Sequence, residues 1–266
     1  VTGAAHWPEA AGDLWAGLSR VWLWSGLAWS DIRQRYRGSL LGSFWITINI
    51  ALLVVSLTLI FAGPFGSDRQ AYSAYVAIGL VIWYFIQGTI NDSCQVFVAS
   101  AETIRHTALP LSVHVLRLLC RNTIVLGHNL LIVPVVLIAS GIRPAAWAWT
   151  AAPGLLLLLF TIFWASLLLG LLGARFRDIT QIVSNLLQLL FFLTPIFWPL
   201  GSLGPERARL LGLNPVFAYI DIIRAPLLGA APAPASWPIA LAAAAVAALL
   251  AFFALSRLRG HVAYWV

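Results

Sequence analysis

The sequence predicts an all-α, polytopic membrane protein with six transmembrane helices, and three observations carry that reading. Hydrophobic residues fill 61% of the 266 positions and charged residues only 9%, whereas a soluble domain carries about 25% charged residues. Mean hydropathy is +0.90. Six stretches, 38–67, 70–91, 122–142, 144–174, 179–205 and 225–256, contain no charged side chain, and each exceeds the roughly 20 apolar residues a helix needs to cross a bilayer.

Residues 1–43 form a segment ahead of the first span. Within it, Trp15, Trp22 and Trp29 recur at seven-residue spacing with Leu18 between them. On a helix these side chains fall on one side, while Asp13 and Arg20 interrupt any spanning reading. An amphipathic helix over 12–30 lying in the membrane interface is expected, because tryptophan favours that depth; the alternative is a helix packed on its own protein. The run Arg33-Gln34-Arg35-Tyr36-Arg37-Gly38-Ser39-Leu40-Leu41-Gly42-Ser43-Phe44-Trp45 follows. Its three arginines suit an anionic cytoplasmic leaflet, and its glycines lead into hydrocarbon.

The first span is expected at 44–62, closed by the turn-forming Gly63-Pro64-Phe65-Gly66. A second runs over 72–97 and becomes polar towards its end at Asn91, Asp92, Ser93 and Gln95. Residues 99–112 read as a short amphipathic connection broken at Pro110. A third span covers 114–140, with Arg117 and Arg121 near its start and Arg143-Pro144 beyond its end. The fourth and fifth cover 152–172 and 180–198. Residues 199–235 are too polar and proline-broken for one plain span. The sixth covers 237–256, and 258–266 form a short tail.

With the N-terminus inside, eleven arginines fall on the cytoplasmic side and five outside: Arg69, Arg143, Arg207, Arg209 and Arg224. That imbalance obeys the positive-inside rule and places both termini in the cytoplasm. The first 30 residues lack a basic start followed by a clean apolar core, so no cleavable signal peptide is expected and the first true span directs insertion.

Composition excludes several functions. All 16 basic residues are arginine, and without lysine there is no Walker A phosphate loop and no Schiff-base chemistry. The formal charge of +7 flanks apolar spans and forms no soluble basic face, so membrane rather than nucleic acid is the expected partner. Cys94 and Cys120 lack a CxxC arrangement, and inert buried thiols are expected. No HExxH, paired carboxylates or Ser-His-Asp set can be assembled. Hence no catalytic residue and no metal ligand is predicted. Asp92 is the only acidic residue within the expected spans; it reads as snorkelling to the cytoplasmic face, pairing with an arginine or relaying protons. His128 beside Asn129 reads as a packing residue.

Carriers driven by protons or sodium build their sites from intramembrane carboxylates or broken helices. Their scarcity here points to an external driving force. Its point of contact is expected at 99–112, where Glu102, Ile104, Arg105, His106 and Leu109 form an amphipathic surface suited to a groove on a partner; an ordinary loop is the alternative. Thirteen tryptophans and the clusters Trp83-Tyr84 and Phe191-Phe192, Phe197-Trp198 offer ring faces on which the C–H faces of sugars can rest. Lipid anchoring and helix packing are the other use of such rings.

These motifs occur in a recognisable order. The run Arg33–Trp45, the connection Ala101-Glu102-Thr103-Ile104-Arg105 to Leu109-Pro110-Leu111, then Arg175-Phe176-Arg177-Asp178-Ile179, Leu193-Thr194-Pro195-Ile196-Phe197-Trp198-Pro199, and Leu213-Asn214-Pro215 with Arg224 follow one another. The chain resembles, over residues 12–257, the permease subunit of ABC-2 type exporters for O-antigen and related cell-surface polysaccharides. The resemblance implies a bacterial inner-membrane homodimer with two separate ATPase subunits, which bind the ATP and Mg, exporting a glycan on polyprenyl pyrophosphate. No cofactor is implied on this chain. It also implies that 12–30 is the interface helix, 99–112 the coupling helix and 199–235 an outer re-entrant hairpin of gate helices. Arg33, Arg35 and Arg37 then stand where the pyrophosphate first arrives, a group that arginine binds with a planar fork. Trp83, Tyr84, Phe191, Phe192, Phe197 and Trp198 are the expected channel rings. An ABC-2 exporter of a drug or lipid is the rival within transport. A membrane-embedded polyprenyl-phosphate transferase is the rival outside it, and its site would have to come from Glu102, His106, His114 and Asp178.

Overall fold

The computed structural model describes residues 6–37, 42, 44–65, 68–107, 109–144, 146–202 and 204–266. Residues 38–41 and 43 of the arginine-to-aromatic run, Gly66 of the outer turn and residue 108 of the connection lie outside them. Every regular element among the described residues is helical: α1 Trp7–Ser19, α2 Val21–Arg35, α3 Phe44–Phe61, α4 Arg69–Ser93, α5 Ala101–His106, α6 Leu111–Asn129, α7 Ile132–Ala139, α8 Ala151–Arg175, α9 Ile179–Leu193, α10 Pro205–Gly212, α11 Pro215–Leu227, α12 Ser236–Leu258 and α13 Val262–Trp265.

Among the described residues five helical stretches are long and apolar enough to cross a membrane: α3, α4, α6 with α7, α8, and α12 with its continuation into α13. The expected fifth span is shorter in helix than in sequence. α9 holds 15 residues, or ~22 Å at 1.5 Å per residue, against roughly 30 Å of hydrocarbon. Pro195 ends it by disfavouring helical backbone at Thr194, which is extended (ψ 133°). Residues 194–198 continue as a bent, non-helical run, so α9 by itself falls short of the bilayer core, and the further candidate span is the bent pair Glu206–Gly212 and Pro215–Leu227.

Three other boundaries move for local reasons. The second span stops at Ser93 rather than 97, because the chain turns onto α8. There the Gly173 Cα lies so close to Cys94 that a Cβ would stand 1.9 Å from the Cys94 carbonyl oxygen, and Phe97 and Val96 cover Gly170. The third span breaks at Leu130-Leu131, where Pro134 withholds the N–H that would bond the Leu130 carbonyl. The expected helix over 12–30 is two helices bent at Arg20 (ψ 48°). The bend lets α1 meet the start of α6 while α2 runs alongside it.

That first meeting supplies an end cap from another helix. Pro110 offers α6 no side-chain cap. Instead the buried Asp13 of α1 accepts from Leu111 N (2.9 Å) and Ser112 N (3.0 Å), and Arg259 donates to the same carboxylate (3.2 Å). Unpaired N–H groups at a helix start attract an anion, so one aspartate joins α1, α6 and the turn after α12. More ordinary caps start α4, where Asp68 accepts from Gln70 N and Ala71 N, and α11, where Asn214 accepts from Val216 N ahead of Pro215.

Two apolar cores result. The larger surrounds α4, the most enclosed spanning helix, with contributions from α3, α6, α8, α9, α11 and α12. The smaller joins α1, the start of α6 and the ends of α8 and α12. Within 199–235 the chain forms α10 and α11, bent by 90° at Leu213-Asn214.

Candidate functional site

In its second half α4 carries a set of residues at helical spacing that continues past its end. Tyr84, Gln87, Gly88, Asn91, Asp92 and then Gln95 are spaced by three or one, which brings all of them to one helix face. Two cavities open along that face. The larger, about 740 Å³, lies between the end of α2, the end of α4 and the start of α6. The smaller, about 500 Å³, lies between α3, α4 and α6. Arg35, Asn91 and Asp92 line both, so they form one continuous polar cleft.

Charge in the cleft is organised as a ladder. Arg117 makes a two-bond fork to Asp31, its Nε donating at 2.7 Å. Arg121 donates to Asp92 (2.7 Å) and stands 3.9 Å from Asp31. Asn122 donates to Asp92 and to Thr89 Oγ1, both at 3.3 Å. Two carboxylates and two arginines thus tie α2, α4 and α6 together. Arg35 makes no ion pair among the described residues and leaves the cleft with one cation over. His114 at the larger cavity is buried, and neither ring nitrogen has a hydrogen-bond partner.

At the other end of α4 a clasp holds the bent, non-helical run after α9. Tyr72 donates to the Phe197 carbonyl, and Tyr75 donates to those of Pro195 (3.2 Å) and Trp198 (3.1 Å). Arg224 of α11 is buried; its Nη1 donates to the Pro195 and Ile196 carbonyls at 3.0 and 3.4 Å. Its guanidinium lies 3.7 Å from the centre of the Tyr75 ring. Irregular backbone within a membrane persists only where protein groups satisfy it, and these three side chains do so.

The ABC-2 type transporter family matches residues 23–228, from α2 to the end of α11, and so includes both the cleft and the clasp. The chain belongs to that family. The O-antigen export system permease protein RfbA of Myxococcus xanthus is 27% identical over 201 residues, covering 73% of this chain and 76% of its own. Two proteins of the same name from Klebsiella pneumoniae are 27% and 28% identical over 197 and 198 residues, covering 71% of this chain and 74% of theirs.

In this ABC-2 transporter the three arginines of the basic run separate. Arg33, Arg35 and Arg37 are all exposed, yet only Arg35 faces the cleft. The aromatic set separates too. Tyr84 lines the 500 Å³ cavity, whereas Trp83 is 1% exposed and packs on Phe191 at 5.6 Å. Phe191 stacks on Phe197, Phe192 is exposed, and Trp198 Nε1 donates to the Phe192 carbonyl (3.2 Å).

In the connection, Glu102 and His106 are exposed on α5, Ile104 packs on the smaller core and Leu109 is half-buried. Arg105 donates to the Val266 carbonyl, tying α5 to the C-terminal tail. Glu102, His106, His114 and Asp178 do not assemble: among the described residues no three His, Cys, Asp or Glu side chains gather as metal ligands would.

Asn49, Gln87 and Asn122 line the cleft and were not singled out from the sequence. The signal was available on α4, whose polar positions repeat at helical spacing inside an apolar run.

Proposed function

We propose that this chain is the permease subunit of an ABC exporter that moves an O-antigen-like polysaccharide, linked to a polyprenyl pyrophosphate, out across the bacterial inner membrane. A second copy of the chain completes the pathway, and two separate ATPase subunits bind ATP and Mg and supply the energy. The observation that carries this reading is the polar cleft along α4, set in a family and among relatives named for O-antigen export. Amides both donate and accept hydrogen bonds, as hydroxyls do. An amide-lined cleft therefore suits a sugar polymer better than an apolar drug.

Within this reading Arg35 contacts the pyrophosphate, and exposed Glu102 and His106 on α5 meet the ATPase. Both termini are cytoplasmic, and α1 with α2 lies in the interface through Trp15, Trp22 and Trp29, which are exposed. The test is complementation of a strain lacking this gene, with the neighbouring ATPase present or absent, scored by surface glycan. Undiminished glycan in the deletion strain sinks the exporter reading. Arg35→Gln is expected to lower export at least threefold more than Arg33→Gln or Arg37→Gln; equal effects of the three would return them all to topology and lipid contact. Glu102→Arg is expected to lower glycan-stimulated ATP hydrolysis at unchanged permease abundance, and normal stimulation would count against α5 as the coupling helix.

A further inference from the structure

Resting on the exporter reading, we propose that the 500 Å³ cavity between α3, α4 and α6 is a sugar-binding station, where Gln87 and Asn49 hydrogen-bond the hydroxyls of one glycan unit beside the Tyr84 ring. The volume lies within the ~300–1,000 Å³ of small-molecule sites.

The cavity's amides fall into two groups. Asn122 is held by Asp92 and Thr89, Asn129 accepts from Thr47 (2.8 Å) and Asn91 accepts from Ser184 (2.9 Å). Gln87 and Asn49 line the same space with no side-chain hydrogen-bond partner among the described residues. Gln87 is half-buried and Asn49 exposed, both on apolar spanning helices, where a polar amide facing hydrocarbon is costly. A hydroxyl-bearing ligand answers both its donor and its acceptor. Tyr84 adds a ring face for the apolar C–H side of a sugar, so the wall offers the two surfaces a pyranose presents.

Gly88 is the second observation. It lies on the cavity wall, and a Cβ built there meets nothing within 4 Å. Glycine is a poor residue for a helix interior, and no close packing requires it here. What it leaves is room, at the level of Gln87 and Tyr84. Gly127 on α6 likewise has nothing within 4 Å of a built Cβ, but it lies outside the cavity lining.

The experiment uses the full chain with its ATPase in the deletion strain. Gly88→Leu projects an apolar side chain from the cavity wall, where a Cβ meets nothing within 4 Å, and is expected to cut surface glycan at least tenfold at unchanged membrane abundance. Gly127→Leu should export within twofold of the unsubstituted chain. Benzoylphenylalanine in place of Tyr84, irradiated with the ATPase stalled, should attach glycan, while the same probe at Val55 on the outer face of α3 should not. Glycan attached at position 84 supports the station even if Gly88→Leu does not accumulate.

Normal export by Gly88→Leu, or blocked export with no glycan attached at position 84, overturns the station; in both cases ATPase-dependent export by the unsubstituted chain keeps the exporter reading. Failure of that chain to restore glycan overturns the exporter reading and the station with it.

Discussion

The two ends of α4 handle arginine in opposite ways. At one end Arg117 and Arg121 meet carboxylates in a cleft that remains part-exposed. At the other, Arg224 is buried against a tyrosine ring and two backbone carbonyls. Carboxylate pairs can be exchanged for a ligand anion or weakened by ions; carbonyls fixed in a bent, irregular run cannot be exchanged without moving that run. The ladder is thus suited to a region that admits substrate, and the clasp to one that holds a shape.

Substitutions can break this contrast in a graded way. Arg224→Met should cost the most, about 2–4 kcal/mol of stability in detergent-solubilised protein, since the Ile196 carbonyl loses its donor, the Pro195 carbonyl loses one of two and the Tyr75 ring loses its cation. Arg224→Lys should restore less than half, because an ammonium lacks the planar fork that covers a ring while donating. Unchanged thermal unfolding in Arg224→Met would remove the clasp from the contrast. Asp31→Asn should cost about 1–2 kcal/mol by leaving Arg117 without its carboxylate partner, less than a fully buried pair would.

The double change Asp31→Leu with Arg117→Met should recover most of that loss, and a larger loss in the double would argue that the pair itself stabilises the fold. Tyr75→Phe should cost about 1 kcal/mol, the net worth of its hydroxyl bonds. Salt sharpens the comparison further. Between 0.1 and 1 M the screening length falls from ~10 to ~3 Å, so the Asp31 effect should shrink while the Arg224 effect holds. The smallest change is expected for Trp15→Ala, within about 0.5 kcal/mol, although its binding to anionic vesicles as an isolated α1–α2 peptide should fall.

What the sequence discloses follows how local each determinant is. The uncharged runs mark α3, α4, α8 and α12, since hydrocarbon excludes charge over any 20-residue window. Pro195 marks the end of α9 from its immediate neighbour. The cap that Asp13 provides to Leu111 spans 98 residues, and the clasp joins Tyr75 to Pro195 across 120. No window of sequence contains both partners. The cleft is intermediate: its α4 face can be read from spacing alone, but the ion pairs with α2 and α6 cannot. Trp83 illustrates the complementary limit, because position in mid-span does not tell whether a ring faces a path or the core.

The seat of Cys94–Phe97 on Gly170 and Gly173 has a mechanical consequence. The turn that leads from α4 to α5 rests on α8 with no compressible gap. The turn cannot shift along α8 without moving that helix, because any side chain larger than glycine at position 173 would already meet the Cys94 backbone.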